Sequence, residues 1–279
     1  ALEERNLELE RNNKELSGFN YVASHDLQEP LRKIQTFISR LEDRESDKFS
    51  EAGLQYLERI NSAIKRMRTL IDDLLQFSRT TKPDKVFVVA DMNELFENAK
   101  QDVAVLILEK KAKITCDLLP NAQVITFQIQ QLFLNLLSNS LKYIQTGKAP
   151  IIKINYETVK AKDDPNLVKA TKSIYHKITF ADNGIGFEQK YSEKIFDLFF
   201  EIPTNNQTQI NYNKGTGIGL SIVKNIINLH KGTITVENKK TKGVIFKVVM
   251  QLGRYHLSDE EIIKDFKISD DVAQYEVQL

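Results

Sequence analysis

Four short stretches carry residue types and spacings that could do chemistry. The first is VASHDLQEPLRKI around His25. A helix advances about 100° per residue, so His25 falls well off a seam through Ser24 and Leu27 and faces water, with Glu29 and Arg32 on the same face. An imidazole with a reference pKa near 6.5 is mostly neutral at pH 7, which leaves one ring nitrogen with a lone pair able to attack an electrophile. Asp26 beside it can hold the proton of the other nitrogen and stabilise developing positive charge. Pro30 removes a backbone donor, which predicts a bend near the histidine. Alone, a histidine on a wet helix face is ordinary, and its company decides what it does.

The second stretch is NLLSNSLKY, where Asn135 and Asn139 stand four apart on one helix face, with Lys142 and Tyr143 at its end. Amide oxygens suit Mg²⁺, a hard cation that keeps waters and substrate phosphates in its shell, and Lys142 is placed to reach a phosphate. The bland alternative is surface polarity or capping. The third stretch, DNGIGF, follows a strand that ends at Ala181. A carboxylate held there by the tight turns of Gly184 and Gly186 accepts a hydrogen bond from an exocyclic amine and repels a carbonyl oxygen, so Asp182 predicts adenine over guanine, ATP over GTP. Asp-Asn-Gly is also ordinary turn chemistry. The fourth, GTGIGLSIVKNIINLHKG, sets Gly215, Gly217 and Gly219 directly before a helix, where unobstructed N–H groups can approach phosphates. The spacing is not that of a dinucleotide-binding fingerprint, and there is no GxxxxGK[ST] loop or HRD catalytic loop. Between the glycine motifs lies KIFDLFFE, in which Phe196, Phe199 and Phe200 read as core residues that seat a lid.

The elements that must position these residues are also legible. The chain has 279 residues, enough for about two domains, with 41% hydrophobic and 28% charged residues, as in soluble globular proteins. Its 39 basic residues nearly balance 38 acidic ones, so at a net charge of +1 it lacks the field that attracts nucleic acid or anionic lipid. The lone cysteine, Cys116, forms no internal disulfide, and Cys and His residues show no zinc spacing, which suits a cytoplasmic location. No run approaches the ~18 apolar residues of a membrane segment. The opening ALEERNLELE lacks Met and a signal peptide, and reads as the C-terminal part of something longer.

Residues 2 to about 41 repeat apolar positions by sevens, then by alternating threes and fours through Ser24, Leu27, Leu31, Ile34, Ile38 and Leu41, as in a coiled-coil lead-in running into a long helix. A second helix over about 51–79 repeats the step through Leu57, Ile60, Ile64, Met67, Ile71, Leu74 and Ser78. Such a hairpin has too few partners for its stripe, and pairing with a second copy into a four-helix bundle solves that. TTKPD, with Pro83, marks a boundary. Beyond it we expect strands at 86–90, 113–118, 122–125, 151–159, 173–181, 233–238 and 243–251, helices at 92–110, 127–143 and 217–230, and a polar lid over 200–214. The fold class is thus an all-α hairpin followed by an α+β sandwich, one sheet with helices on one face.

In this order the stretches resemble the sensor histidine kinases of two-component signalling: an H box at His25, an N box over Asn135 to Tyr143, a G1 box over Asp182 to Gly186, an F box over Phe196 to Phe200 and a G2 box over Gly215 to Gly219. The resemblance spans about residues 16 to 252, and SHDLQEPLR is most similar to phytochrome-type kinases. It implies a signal helix over 1–18, a homodimeric phosphotransfer domain over 19–82, a Bergerat-type ATP-binding domain over 83–252 and an extension over 253–279, where Ser258 and Glu261 have the spacing of a capping box. It further implies ATP and Mg²⁺ as cofactors, a response-regulator receiver domain as partner and a sensor domain upstream in the full-length chain. His25 would take the γ-phosphoryl group, Asp26 act as general base, Asn139 hold Mg²⁺ with Asn135 in support, Asp182 anchor adenine and Tyr143 stack on it. Glu201 departs from the family, many of whose members carry a basic residue there, leaving Lys142 and Lys214 to meet phosphate charge. The alternatives are an ATP-holding pseudokinase or scaffold, and an ATPase of the gyrase, chaperone or mismatch-repair type.

Overall fold

The computed structural model describes residues 26–45, 48–80, 86–160, 174–203, 215–239 and 243–251. The lead-in, His25, Pro83, the loop around 161–172, most of the lid including Lys214, and the extension over 253–279 lie outside the described residues.

Two helices make the expected hairpin: α1, described over 26–45, and α2, Glu51–Thr80. The first helix runs past Leu41 because Glu42, Asp43, Arg44 and Glu45 do not break a helix, and because Glu42 accepts a 2.7 Å hydrogen bond from Asn61 of α2. The predicted stripe divides in two. Leu31 and Ile38 pack with Leu57, Ile64 and Ile71 inside the hairpin, every second apolar position of the pattern. The alternate positions, Leu27, Ile34, Leu41, Ile60 and Met67, stay exposed, from 41% to 50%.

The second domain follows as β1 (Val88–Asp91), α3 (Met92–Asp102), α4 (Ala104–Glu109), β2 (Lys113–Cys116), β3 (Asn121–Val124), α5 (Thr126–Lys142), β4 (Ile151–Lys160), β5 (Ile174–Ala181), α6 (Gly219–Leu229), β6 (Thr233–Asn238) and β7 (Val244–Met250). Two sheets form where one was expected. The main sheet runs β2-β4-β5-β7-β6, with β2 and β4 parallel and the other pairs antiparallel, while β1 and β3 make a separate antiparallel ribbon. The period of two sorts the main sheet. Ile152, Ile154, Ile178, Phe180, Phe246 and Val248 point into the core. Lys177–Glu157 and Lys247–Glu237 pair across strands on the other face, at 2.8 and 2.7 Å.

Helices α3, α5 and α6 cover the inner face through Phe96, Phe133, Leu136, Ile222 and Ile226, among others. Phe133 sits edge-on to Phe96 at 5.5 Å and 5.9 Å from Phe180 of the sheet, joining the layers. The helix expected over 92–110 is broken at Val103, whose ψ of 16° leaves the helical region while its N–H turns to the Lys100 carbonyl. The break buries Val103 and leaves Val105 and Leu108 of α4 exposed. His230, fully buried at the end of α6, hydrogen-bonds the Ile226 carbonyl through Nδ1 at 2.8 Å and accepts from the Ile125 N–H through Nε2 at 3.3 Å. It thereby ties the C-terminus of α6 to the start of α5, the two helices that carry most of the candidate site.

Candidate nucleotide site

Helix α5 brings Asn135, Asn139 and Lys142 along one side, and Tyr143 caps its C-terminus. The turn after β5 is fastened to that end. Ile185 N–H donates to the Tyr143 carbonyl at 2.9 Å, and a Cβ on Gly184 would lie 2.5 Å from that same oxygen, so only glycine lets the turn approach this closely. Asp182, 6% exposed, is held from three sides. Its Oδ1 accepts from the backbone N–H of Gly184 at 2.8 Å and of Val244 at 3.0 Å, and its Oδ2 from the Ser140 hydroxyl at 3.2 Å. Three donors satisfy the buried carboxyl group, and Oδ2 keeps acceptor capacity beyond the one bond it makes.

The second glycine loop lies across α5. A Cβ on Gly219 would meet Asn135 Oδ1 at 2.9 Å, and one on Gly215 would meet Tyr143 Oη at 2.9 Å and Lys142 Nζ at 3.0 Å. Gly217 has φ +72° and no room for a Cβ, with the Phe199 carbonyl carbon 2.7 Å from where one would be. Helix α6 begins at Gly219, and its N-cap, Ile218, supplies no capping side chain, so the first N–H groups of α6 face the loop without that partner. Asn135, Lys142, Tyr143 and the loop from Gly215 to Gly219 therefore share one corner, and Asp182 joins it through the far end of α5.

The electrostatics of the corner are set by burial and two carboxylates. Burial pushes the Lys142 ammonium below its ordinary pKa, opposed by Glu201 and Asp73. Burial, with Glu201 adding, pushes the Tyr143 phenol up. The Lys142 ammonium stands 5.2 Å from the Tyr143 ring centre, a cation–π distance. Glu201, which stands where many family members carry a basic residue, thus acts on the very lysine expected to meet phosphate charge.

One expectation is corrected here. Phe196 is buried, with the Lys224 ammonium 5.7 Å from its ring centre, and Phe200 packs on the core beside Tyr191. Phe199, expected in the core, is instead 57% exposed. Its φ of +62° turns the side chain outward while its N–H donates to the Gly217 carbonyl at 3.0 Å, so its backbone serves the glycine loop.

Sequence reasoning missed three participants. Ser140 lies on the apolar face of α5 beside Leu136, Leu137 and Leu141, and a hydroxyl among such neighbours is a signal that a partner faces it. Lys239 donates to the Asp182 carbonyl oxygen at 2.6 Å from the β6–β7 turn. Thr216, between two of the loop glycines, donates its hydroxyl to Asp73 of α2, a partner far along the chain that no local pattern announces.

Two protein-family models match the chain: the His Kinase A phospho-acceptor domain over residues 15–83 and the histidine kinase-, DNA gyrase B- and HSP90-like ATPase over residues 125–254. Histidine kinase P4 of Formosa agariphila is 47% identical over 152 residues, covering 54% of this chain and 10% of that protein. Cyanobacterial phytochrome A of Nostoc is 33% identical over 246 residues, covering 88% of this chain and 30% of that protein. The chain thus spans at most about a third of either relative. The crystal structure of full-length ShkA in complex with AMPPNP has the same fold at 18% identity, with a TM-score of 0.59 over 84% of this chain and 45% of that one. Among the described residues no helix is long and apolar enough to cross a membrane. With a phospho-acceptor domain followed by an ATP-binding domain, and relatives of this kind, the chain belongs to the sensor histidine kinases.

Proposed function

We propose that this chain is a kinase core that phosphorylates its own His25 from ATP and passes the phosphoryl group to an aspartate of a response-regulator receiver domain. The observation that carries the reading is the convergence of Asp182, the amide pair on α5, Lys142 and the uncapped start of α6 on one corner of a domain joined to a helical hairpin. In the first step a lone pair of the His25 ring attacks the γ-phosphorus. The new N–P bond forms as the P–O bond to the β-phosphate breaks, ADP leaves, and Asp26 takes the proton from the other ring nitrogen. In the second step a regulator carboxylate forms a P–O bond as the P–N bond breaks.

Such transfers depend mainly on positioning and charge stabilisation. Asp182 accepts from the adenine amine, Tyr143 lies against the base, Lys142 neutralises phosphate charge, and Gly184, Gly186, Gly215, Gly217 and Gly219 let the backbone come close. The donor chemistry of α5 fits Mg²⁺: the Asn135 amide nitrogen is engaged by the Gln131 carbonyl at 3.0 Å, which turns its oxygen toward the loop, and Asn139 is half-buried one turn on. Held there by Asn139, Mg²⁺ would supply positive charge to offset that of the phosphates.

The division of the hairpin stripe supports a homodimer. Leu27, Ile34, Leu41, Ile60 and Met67 form the half of the heptad pattern that the hairpin leaves uncovered, and a second copy with the same half completes a four-helix bundle.

Incubation with γ-labelled ATP tests the function. Acid-labile, alkali-stable label on the protein, absent in His25→Ala although that variant still binds nucleotide, is the expected result. Free phosphate without labelled protein would mean an ATPase, neither would mean a binder, and label persisting in His25→Ala would overturn the assignment of the acceptor.

A further inference from the structure

The catalytic domain is not free of the hairpin. One face of α2, at positions 70, 73, 77 and 80, lies against it. Leu70 and Phe77 pack on the core of the ATP-binding domain. Gln131 of α5 donates to Gln76 at 2.8 Å, and Asn225 of α6 donates to the Thr80 hydroxyl at 3.1 Å. Gln128 of α5 reaches the Thr80 carbonyl at 3.4 Å. At the head of this face Asp73 accepts the hydroxyl proton of Thr216, inside the glycine loop, within the electrostatic reach of Lys142.

Asp73 thus places a carboxylate on the hydroxyl of the glycine loop and within electrostatic reach of Lys142, groups that a nucleotide's phosphates would use. Resting on the reading of that loop as the phosphate site, we propose that Asp73 is a resident anion of the phosphate corner, displaced by the γ-phosphate of ATP, so that triphosphate binding and docking of α2 on the catalytic domain are mutually exclusive. Two anions within a few ångströms in a half-buried corner repel strongly, and Lys142 cannot neutralise both. The environment of Asp73 already disfavours its charge: burial and the neighbouring Asp72 raise its pKa, against the Thr216 hydrogen bond and Lys142, which lower it. ADP has no γ-phosphate and leaves the carboxylate in place. The docked form is then the resting or product-bound state, and ATP itself frees the domain to move along the hairpin.

The experiment compares AMPPNP with ADP in two ways. By calorimetry in Mg²⁺ buffer, Asp73→Asn and Asp73→Ala should bind AMPPNP about tenfold more tightly than the parent, the worth of one relieved charge interaction, with ADP unchanged within about twofold. In a Cys116→Ser background, Gln76→Cys with Gln131→Cys should be bridged efficiently by a short bismaleimide with no nucleotide or with ADP, and several-fold less with AMPPNP. Equal effects of the Asp73 variants on both nucleotides, or a cross-link indifferent to AMPPNP, would overturn the proposal. Asp182→Asn is measured alongside: weakened nucleotide binding there with no effect at Asp73 refutes the competition alone, whereas AMPPNP binding unchanged in Asp182→Asn refutes the site reading as well.

Discussion

Replacing Asp182 by Asn separates binding from folding unusually well, because the hydrogen bonds around it divide cleanly between the two oxygens. In the folded chain Oδ1 accepts two backbone N–H groups, those of Gly184 and Val244. An asparagine oxygen in the same place accepts both. Oδ2 takes only the Ser140 hydroxyl, and an amide nitrogen there can donate to that hydroxyl, which rotates to accept. The fold therefore loses little beyond the charge on these bonds, about 1 kcal/mol or less. A bound adenine loses much more, since its exocyclic amine would face a donor in place of an acceptor. The missing charge-assisted hydrogen bond is worth about 1.5–3 kcal/mol, roughly ten- to 150-fold in affinity. Guanine, whose oxygen now meets a donor, should gain on adenine. Titration calorimetry with ATP and GTP, beside thermal melts of both proteins, reads all three quantities. ATP affinity within about twofold of the parent, or weakened binding accompanied by a collapse of the melting temperature, would refute the role assigned to Asp182.

Light scattering at micromolar concentration should return a dimer mass, and Ile34→Asp should lower it toward the monomer, because five half-exposed apolar side chains per chain are worth on the order of 1 kcal/mol each when covered. Cys116 is solvent-exposed, yet it should react slowly with iodoacetamide for an exposed thiol, because partial desolvation, with Asp117 and Glu97 adding, pushes its pKa up to about 11. The thiolate fraction at pH 8 is then about a hundredfold below that of an unperturbed cysteine, and the rate should climb about tenfold per pH unit toward pH 11. Dephosphorylation of a pre-phosphorylated regulator should be accelerated only weakly, since Glu29, four residues after His25, presents an ionised carboxylate paired with Lys33 at 2.8 Å where a hydrogen-bond donor would be needed to orient water. A strong acceleration abolished by Glu29→Ala would make Glu29 a phosphatase residue.

What the sequence revealed depended on how local the cause was. The stripes of α1 and α2 and the alternation in β4, β5 and β7 are properties of each element, and they led to the right faces being buried. The break at Val103 had no sequence mark, because AKQDVAVLILE contains neither Gly nor Pro; the turn is set by how α3 and α4 meet the rest of the domain. Similarly, β1 and β3 read as strands but not as a ribbon of their own, since pairing is a choice among partners distant in sequence. The glycine motifs were legible because close approach admits only one residue type, whereas Asp73 looked like any polar residue on an exposed helix. Phe199 misled for the opposite reason: its type favours the core, but a left-handed backbone, with its N–H on the Gly217 carbonyl, decides where the ring points.

The charges around Lys142 connect these observations. In the docked state the ammonium is acted on by two carboxylates, Glu201 and Asp73, and both favour its protonated form against the cost of burial. A triphosphate entering that corner would bring several more negative charges to a place where, among the described residues, two carboxylates already act on Lys142. Such an addition is tolerable only if negative charge leaves, if positive charge arrives with the nucleotide, or both. Glu201 follows Phe200, which packs on the core, whereas Asp73 belongs to a separate helix that meets the domain, among the described residues, through polar bonds such as Gln131–Gln76 and Asn225–Thr80 and through Leu70 and Phe77. Asp73 is therefore the carboxylate that can leave, and the amide oxygens of α5 are where a divalent cation can arrive. If Asp73 leaves as proposed, a basic residue after the F box is not required, and nucleotide binding is expected to depend more steeply on Mg²⁺ and on release of the helical hairpin than it would without Glu201.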